Sequence, residues 1–290
     1  MRSADVARLV ALAMIWSASF VFFRVLAQPV GPVATVTFRV LVAGLVLTAW
    51  LALTARDADV RGNWRGYLFM GVVNSAIPFT LFAWAAYTLP ASVMAILNAA
   101  TPMFTALLAA RWLGESLDGR RVGGIAAGVA GVALVTGGGA IEASVGGWLA
   151  VAACLAATFC YAWTGVWLKR RGAALSPYAV AAWSQLFAGL VLLPLVPLAP
   201  PPGPVTPAVL ANLLGLALLC SAVAFLLYYR LMRDIGPTRT MTVTFLIPAF
   251  GIAWGALLLG ERITLATIAG MLLIAGGTAG VLWRRAPSAA

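Results

Sequence analysis

The feature of this sequence that most limits its fold is a stretch that occurs twice, from Pro90 to Val135 and from Gly236 to Val281. Each copy has a proline in an apolar segment, then Leu-Gly-Glu, then an apolar segment with spaced glycines. The markers keep one offset of 146 residues without a gap (248 − 102, 261 − 115, 277 − 131), at Pro102 and Pro248, Glu115 and Glu261, and Gly131 and Gly277. An offset of about half the chain predicts a duplicated domain, with repeats at 1–140 and 147–290.

The apolar character of the chain predicts an all-α integral membrane protein. Hydrophobic residues make up 63% of it and charged residues only 9%, whereas soluble domains carry about 25% charged residues. Its apolar runs have the length of about 20 residues that a helix needs to cross a bilayer. The net charge of +11 does not indicate nucleic-acid binding, because the basic residues lie in short clusters between the apolar runs.

The apolar runs predict ten membrane spans, which we number in chain order. Their bounds carry an uncertainty of about 2–4 residues. The predicted spans are residues 6–27, 32–53, 65–88, 90–112, 121–139, 147–168, 177–199, 207–232, 238–259 and 264–283.

The positions of Lys and Arg predict the orientation of these spans. With the N-terminus in the cytoplasm, 16 of the 19 basic residues fall in cytoplasmic segments, and only Arg24 and Arg262 fall on the other side. Such an excess marks the cytoplasmic side of a membrane protein. Both termini are therefore predicted to be cytoplasmic. Because five spans form each half, the second repeat enters from the opposite side, and the fold is predicted to be two inverted five-helix repeats.

Several kinds of chemistry lack their usual residues. The chain has no histidine, and its three cysteines, Cys154, Cys160 and Cys220, all lie inside apolar runs. A glycine-rich phosphate loop and a metal-ligand cluster are also missing from the sequence. We therefore expect no metal, no cofactor and no enzymatic activity.

Polar and aromatic residues deep inside the spans are the candidates for substrate binding. Polar groups in a bilayer need partners, so they either join helices or line a cavity. Deep aromatic rings either pack the core or line a pocket suited to flat, apolar ligands. The candidate substrate-binding residues are Trp16, Ser19, Phe20, Asn74, Phe79, Asn98, Trp163, Tyr228 and Thr244.

Three further residues are candidates for gating. Arg39 is the one ionisable residue clearly inside a span, where it either anchors span 2 by reaching outward or attracts a substrate carboxylate. Pro102 and Pro248 either kink their spans passively or act as paired hinges. The motif glutamates, Glu115 and Glu261, are expected to cap the start of the following helix rather than to couple transport to an ion.

The sequence resembles the drug/metabolite transporter superfamily, in its ten-helix EamA-type branch. The resemblance is carried by the Pro102–Glu115 segment with its second copy, by Trp16-Ser17-Ala18-Ser19-Phe20, and by Phe38 and Arg39. It extends over essentially the whole chain, and within this branch the chain is similar to the YddG-like exporters of aromatic and other neutral amino acids. It implies a cavity lined by spans 1, 3, 4, 6, 8 and 9, export by alternating access, and a multi-pass plasma membrane location, in bacteria the inner membrane.

These observations predict a secondary exporter of small amphipathic metabolites, in particular neutral and aromatic amino acids. The expected partners are the small-molecule substrate and the lipid bilayer. The alternatives are an exporter of the same fold for drugs, nucleotide sugars or amines, and a passive channel or scramblase. Glycine-rich faces on spans 5 and 10 serve either packing within the chain or homodimerisation, so the sequence leaves a monomer and a homodimer open.

Overall fold

The computed structural model describes residues 2–54, 59–138, 144–172 and 175–282. These residues are almost entirely helical, in ten consecutive segments. They are α1 (Ser3–Val30), α2 (Pro32–Leu53), α3 (Val60–Ala85), α4 (Ala91–Leu113), α5 (Gly119–Gly137), α6 (Val145–Arg171), α7 (Pro177–Leu198), α8 (Pro207–Ile235), α9 (Pro237–Thr240 and Val243–Leu259) and α10 (Leu265–Leu282). All but α5 and α9 are long and apolar enough to cross a membrane. The predicted all-α membrane fold is confirmed, while the count of ten crossings stays a prediction.

Contacts between helix ends define two faces of the bundle: Arg8 near the start of α1 binds Asp234 at the end of α8, and Glu261 after α9 binds the start of α4. We call the face that holds the start of α1 the N-terminal face, and the other the opposite face. Side chains at first turns fix where several helices begin: the Asp118 carboxylate accepts a hydrogen bond from the backbone of Arg121 (2.9 Å), and the Ser144 hydroxyl accepts one from Gly147 (3.1 Å). Such caps satisfy backbone donors that the helix leaves free.

The repeated Leu-Gly-Glu sequence is a helix end. Gly114 and Gly260 adopt left-handed φ angles of 69° and 64°, which glycine reaches without the steric cost of a side chain. The backbone N–H of the next residue then returns to the helix, from Glu115 to the Ala109 carbonyl (3.3 Å) and from Glu261 to Gly255 (3.0 Å). The motif therefore terminates α4 and α9 in the same way.

A π-helical turn interrupts one helix in each half. It covers Val72–Ala76 in α3 and Gly215–Val223 in α8. Moving the first by the repeat offset of 146 residues places it on residues 218–222, inside the second. Such bulges occur often at functional sites. The division into repeats at 1–140 and 147–290 stays a prediction.

Glycines allow two helix pairs to approach closely. In the pair α5 and α10, a Cβ at Gly124 would lie 2.6 Å from the Gly277 carbonyl oxygen, and one at Gly131 would lie 2.7 Å from that of Gly270. These glycines therefore serve packing within the chain, and the oligomeric state stays open. The pair α2 and α7 crosses through Gly44 in the same manner.

Candidate functional site

Arg39 of α2 turns into the helix bundle. It is only 3% exposed. Its Nε donates a hydrogen bond to the Ser221 hydroxyl (2.8 Å), and its Nη2 donates to the Cys220 carbonyl (3.5 Å), both in the π-helical turn of α8. The guanidinium carbon lies 3.8 Å from the ring centre of Phe79. The interpretation in which this side chain reaches outward along the helix is therefore wrong.

The charge of Arg39 is not matched by an acidic side chain. Among the described residues, every ion pair lies at a helix end, and none includes Arg39. Its surroundings are the rings of Phe79 and Phe23, with Phe23 at 5.3 Å, together with one hydroxyl and one carbonyl. A buried charge in a membrane protein is costly and usually pairs with a partner. Arg39 is thus a buried positive centre without an acidic partner among the described residues.

A matching contact joins α7 to α3. Gln185 is fully buried, and its Nε2 donates to the Ser75 hydroxyl (2.9 Å) in the other π-helical turn. The offset of 146 relates Gln185 to Arg39 and Ser221 to Ser75. An offset of 145, which relates Arg24 to Lys169, would instead relate Arg39 to Ser184, but the structure gives the contact to Gln185. Both halves therefore make the same interhelical link, one with a cation and one with an amide.

Next to Arg39, aromatic side chains of α1, α3 and α8 pack in contacting pairs. The Phe20 ring meets Phe82 edge-on at 5.3 Å, and Phe82 stacks on Tyr161 at 6.4 Å. Trp16 packs on Tyr228 at 5.3 Å. These pairs are equivalent in the two repeats, since Trp16 corresponds to Tyr161 and Phe82 to Tyr228. The structure thus gathers Trp16, Phe20, Phe79 and Tyr228 on three neighbouring helices.

Of two further predicted polar residues, Asn74 joins helices, whereas the buried Ser19 hydroxyl has no hydrogen-bond partner among the described residues. The Asn74 side-chain oxygen accepts a hydrogen bond from the Thr164 hydroxyl (2.8 Å), which links α3 to α6. Ser19 is buried near the Cys220 thiol, and that thiol donates to the Ile15 carbonyl (3.2 Å). Both residues border the Arg39 site through the π-helical turns.

The remaining three predicted residues lie apart from Arg39 in their contacts. Trp163 is 37% exposed and packs against Phe69 and Trp112, each at 6.0 Å. The Thr244 hydroxyl bonds within its own helix. Asn98 lies at the interruption of α4, where its carbonyl accepts a hydrogen bond from the Thr101 hydroxyl (2.8 Å).

The two prolines have different effects on their helices. The first part of α4 ends at Asn98, and the helix resumes at Thr101, so Pro102 lies in a new first turn. Pro248 instead lies inside the continuous helix Val243–Leu259, and α9 is interrupted earlier in the chain. Both prolines are buried. The paired hinge stays a prediction, and in this structure the two prolines lie at different places relative to the interruptions of their helices.

The motif glutamates do not cap the helices that follow them, which corrects that expectation. Asp118 performs this role for α5. Glu115 forms ion pairs with Lys169 (2.8 Å) and Arg121 (3.2 Å). The Lys169 hydrogen bond holds the pKa of Glu115 below its usual value of 4.5. Glu261 binds the start of α4, in the other half of the chain.

Sequence reasoning missed the partners of these groups rather than the groups themselves. Ser221 and Ser75 were a usable signal, because they are a serine repeated at the offset of 146 within apolar spans. No local pattern announces the contact of Glu261 with α4, because it joins residues 170 positions apart.

Comparison with known families decides the class of the protein. The model of the EamA-like transporter family matches residues 6–137 and again residues 148–283. The chain belongs to the EamA-like transporter family. It is therefore a multi-pass membrane transporter of small molecules and not an enzyme.

Three relatives of this EamA-like chain align over most of both lengths. A probable terminal-alkyne amino-acid exporter of Streptantibioticus cattleyicolor is 27% identical, over 92% of this chain and 90% of that protein. A probable amino-acid metabolite efflux pump of Escherichia coli is 26% identical, over 94% of each. An S-adenosylmethionine/S-adenosylhomocysteine transporter of Chlamydia muridarum is 26% identical, over 86% of this chain and 82% of that protein.

Proposed function

We propose that this transporter exports neutral and aromatic amino acids by alternating access between the two faces of the bundle. The observation that carries the proposal is Arg39, a buried cation with no acidic partner among the described residues. The proposed substrate site comprises Trp16, Ser19, Phe20, Asn74, Phe79 and Tyr228. Asn98, Trp163 and Thr244, whose contacts lie apart from Arg39, stay predictions outside this site.

The carboxylate of an amino acid supplies the charge that the Arg39 site lacks. Two guanidinium nitrogens already donate to the π-helical turn of α8, and the fork can offer further N–H groups to a carboxylate. The flat side chain of an aromatic substrate fits against Phe20 and Phe79, because aromatic rings prefer offset or edge-on contacts. Two of the relatives carry the word amino-acid in their names, which supports this substrate class.

Counterflow in proteoliposomes tests the substrate. Vesicles preloaded with unlabelled phenylalanine should accumulate labelled phenylalanine in a saturable, stereoselective way, whereas phenylalaninamide, which lacks the carboxylate, should compete poorly. No uptake of any of the common amino acids would overturn the substrate assignment. Leakage of unrelated solutes at the same rate would indicate a channel.

Replacing the cation tests the role of Arg39. Arg39→Gln should raise the KM for phenylalanine by about 10-fold to 100-fold, since a hydrogen bond to a charged group contributes about 1.5–3 kcal/mol. Arg65→Gln makes the same chemical change on the exposed N-terminal face and should leave KM unchanged. An unchanged KM in Arg39→Gln would remove the carboxylate site from the proposal.

A larger metabolite is the second candidate substrate, favoured by the relative that is named as a transporter of S-adenosylmethionine and S-adenosylhomocysteine. The same counterflow assay separates the two candidates when S-adenosylmethionine is offered alongside phenylalanine. Preferential exchange of the larger compound would replace the amino acid as the proposed substrate.

The direction of transport rests on orientation. We propose that the N-terminal face, which holds most basic residues, lies in the cytoplasm of a bacterial inner membrane. Fusions of a periplasmic phosphatase to each terminus should be inactive, while a cytoplasmic fluorescent protein should fluoresce. Active phosphatase at either terminus would contradict this orientation.

A further inference from the structure

The opposite face is closed by Glu261. Its carboxylate accepts hydrogen bonds from the backbone N–H groups of Ala91 (2.6 Å) and Ser92 (3.0 Å), and from the Ser92 hydroxyl (2.5 Å). These donors begin α4, and the N-terminal end of a helix favours a negative charge. The contact ties the end of α9 to the start of α4, across the two halves of the chain.

Arg24 makes a second link on the same face. Its Nη1 donates to the carbonyls of Ala86 (2.6 Å) and Tyr87 (3.0 Å), where α3 ends. The C-terminal end of a helix favours a positive charge. On this face, Glu261 and Arg24 therefore each bind a helix end whose dipole has the opposite sign. The adjacent first part of α4, residues 91–97, is at most 2% exposed.

The equivalent charges on the N-terminal face are arranged differently. The repeat offsets relate Glu261 to Glu115 (146) and Arg24 to Lys169 (145). Glu115 and Lys169 bind each other at 2.8 Å instead of binding helix ends. They line a cleft of about 130 Å³ between α4, α6 and α10. The start of α9 is less buried on this face than the start of α4 is on the other: Arg239, Met241 and Thr242 are exposed, while Thr240 and Val243 are buried.

We propose that these four residues form a reciprocal charge gate, which rests on the alternating access proposed above. In this structure the opposite face is closed by Glu261 and Arg24, and the N-terminal face is open with Glu115 and Lys169 paired. In the alternate state the Glu115–Lys169 pair separates. Glu115 then binds the start of α9, and Lys169 binds the carbonyls at the end of α8.

The same exchange occurs in reverse on the opposite face. Glu261 leaves α4, Arg24 leaves α3, and the two bind each other as Glu115 and Lys169 do here. Each of the four charges keeps a partner of opposite polarity in both states. Arg121, which also pairs with Glu115 here, loses that ion pair in the alternate state but keeps its hydrogen bond to the Ser116 carbonyl. This balance lets the bundle switch with a small difference in free energy, as a carrier requires.

Distances between spin labels test the gate. One pair of labels, at Thr88 and Arg262, reports on the opposite face, and another, at Ser116 and Arg239, reports on the N-terminal face. All four side chains are exposed. The labels are placed in protein whose three native cysteines are replaced by serine, after that protein has been shown to bind or transport as the unaltered chain does.

Neutralising each glutamate should shift the two states in opposite directions. Glu261→Gln loses the cap on α4, so the Thr88–Arg262 distance should lengthen and the Ser116–Arg239 distance should shorten, with the ratio of states changing by about tenfold. Arg24→Gln should act in the same direction as Glu261→Gln. Glu115→Gln should favour the state seen here. Asp118→Asn, which removes a carboxylate that caps only α5, should leave both distances unchanged.

Several outcomes would overturn the gate. Shifts in the same direction for Glu261→Gln and Glu115→Gln, or no shift in either while the protein folds, would show that the four charges only stabilise helix ends. If the expected shifts appear but no amino acid is transported, the gate stands and the substrate proposal fails. A single fixed distance on each face, in all variants and with all ligands, would remove both the gate and alternating access.

Discussion

The helices α2 and α7 occupy equivalent places in the two halves, yet they differ in the charge they bring to the core. Each sends one polar side chain to a serine in a π-helical turn of the other half, Arg39 to Ser221 and Gln185 to Ser75. The amide nitrogen of Gln185 supplies the hydrogen bond to its serine, while the amide oxygen has no partner among the described residues. The packing of these helices therefore needs a hydrogen-bond donor but not a charge. We propose that the extra charge of Arg39 serves substrate binding rather than packing.

The two helices also differ in how their glycines meet. A Cβ at Gly44 would lie 2.6 Å from the backbone nitrogen of Leu186. A Cβ at Gly189 would lie 2.4 Å from the end of the Leu41 side chain and 3.2 Å from its backbone nitrogen. Backbone atoms cannot turn aside, whereas a leucine side chain can. Residues that the repeat makes equivalent are thus not equally constrained.

The largest expected effect comes from placing a charge on the neutral side. Gln185→Arg should lower the free energy of unfolding by about 3–5 kcal/mol, because a second guanidinium would be buried without an acidic partner. Unfolding by detergent titration measures this loss. Arg39→Gln, which makes the first contact resemble the second, is the matched control and should remain folded. Wild-type stability in Gln185→Arg would mean that the core tolerates a charge at either place.

The next largest effect is expected at the two glycine contacts, where alanine substitutions should destabilise the protein to different extents. Gly44→Ala should lower the free energy of unfolding by about 2–3 kcal/mol, since overpacking against backbone atoms forces the helices apart. Gly189→Ala should cost about 1 kcal/mol or less, because Leu41 can change rotamer. Melting temperatures of the two variants in one detergent provide the comparison. Equal losses would show that the two glycines are equally confined.

The sequence predicts the class of this fold because membrane helices are specified by composition and length. The all-α membrane architecture follows from apolar runs, and the family follows from motifs such as the one around Pro102. The helix ends at Gly114 and Gly260 are also readable, because glycine reaches a left-handed conformation cheaply. These features depend on local sequence, where the physical rules act over a few residues.

The contacts between distant helices are not readable in this way. The partner of Ser75 is Gln185 rather than its neighbour Ser184, and the packing of α7 against α3 decides which of the two makes the contact. Equivalent prolines break α4 but leave the longer part of α9 continuous. Similar sequences in the two halves thus adopt different conformations in this structure, as the proposed alternating access requires.

A smaller difference in the free energy of unfolding is expected when the serine partners, Ser221 and Ser75, are replaced by alanine. Ser221→Ala leaves a buried guanidinium N–H without its acceptor and should cost about 1.5–3 kcal/mol. Ser75→Ala removes a neutral interhelical hydrogen bond, which in membranes contributes about 0.6 kcal/mol on average. Detergent titration of both variants measures the difference. A loss in Ser75→Ala at least as large as in Ser221→Ala would mean that the charge adds nothing to this contact.

The aromatic rings beneath these contacts give the smallest and most specific test. Phe79 lies under the guanidinium of Arg39 at 3.8 Å, whereas its repeat equivalent, Phe225, meets Trp16 edge-on at 6.4 Å. Phe79→Leu should lower the free energy of unfolding by about 1–2 kcal/mol beyond the loss expected from the apolar area removed, because it also removes a desolvated cation–π contact.

Phe225→Leu, which removes a ring of the same size but no cation contact, is the matched control. The coupling between positions 39 and 79, measured with the double variant Arg39→Gln/Phe79→Leu, isolates the cation–π contribution. A coupling of zero would mean that the ring only fills space, and the charge of Arg39 would then be held by Ser221 alone. A coupling near 1 kcal/mol would place the ring among the groups that keep this cation in the core ready for a substrate carboxylate.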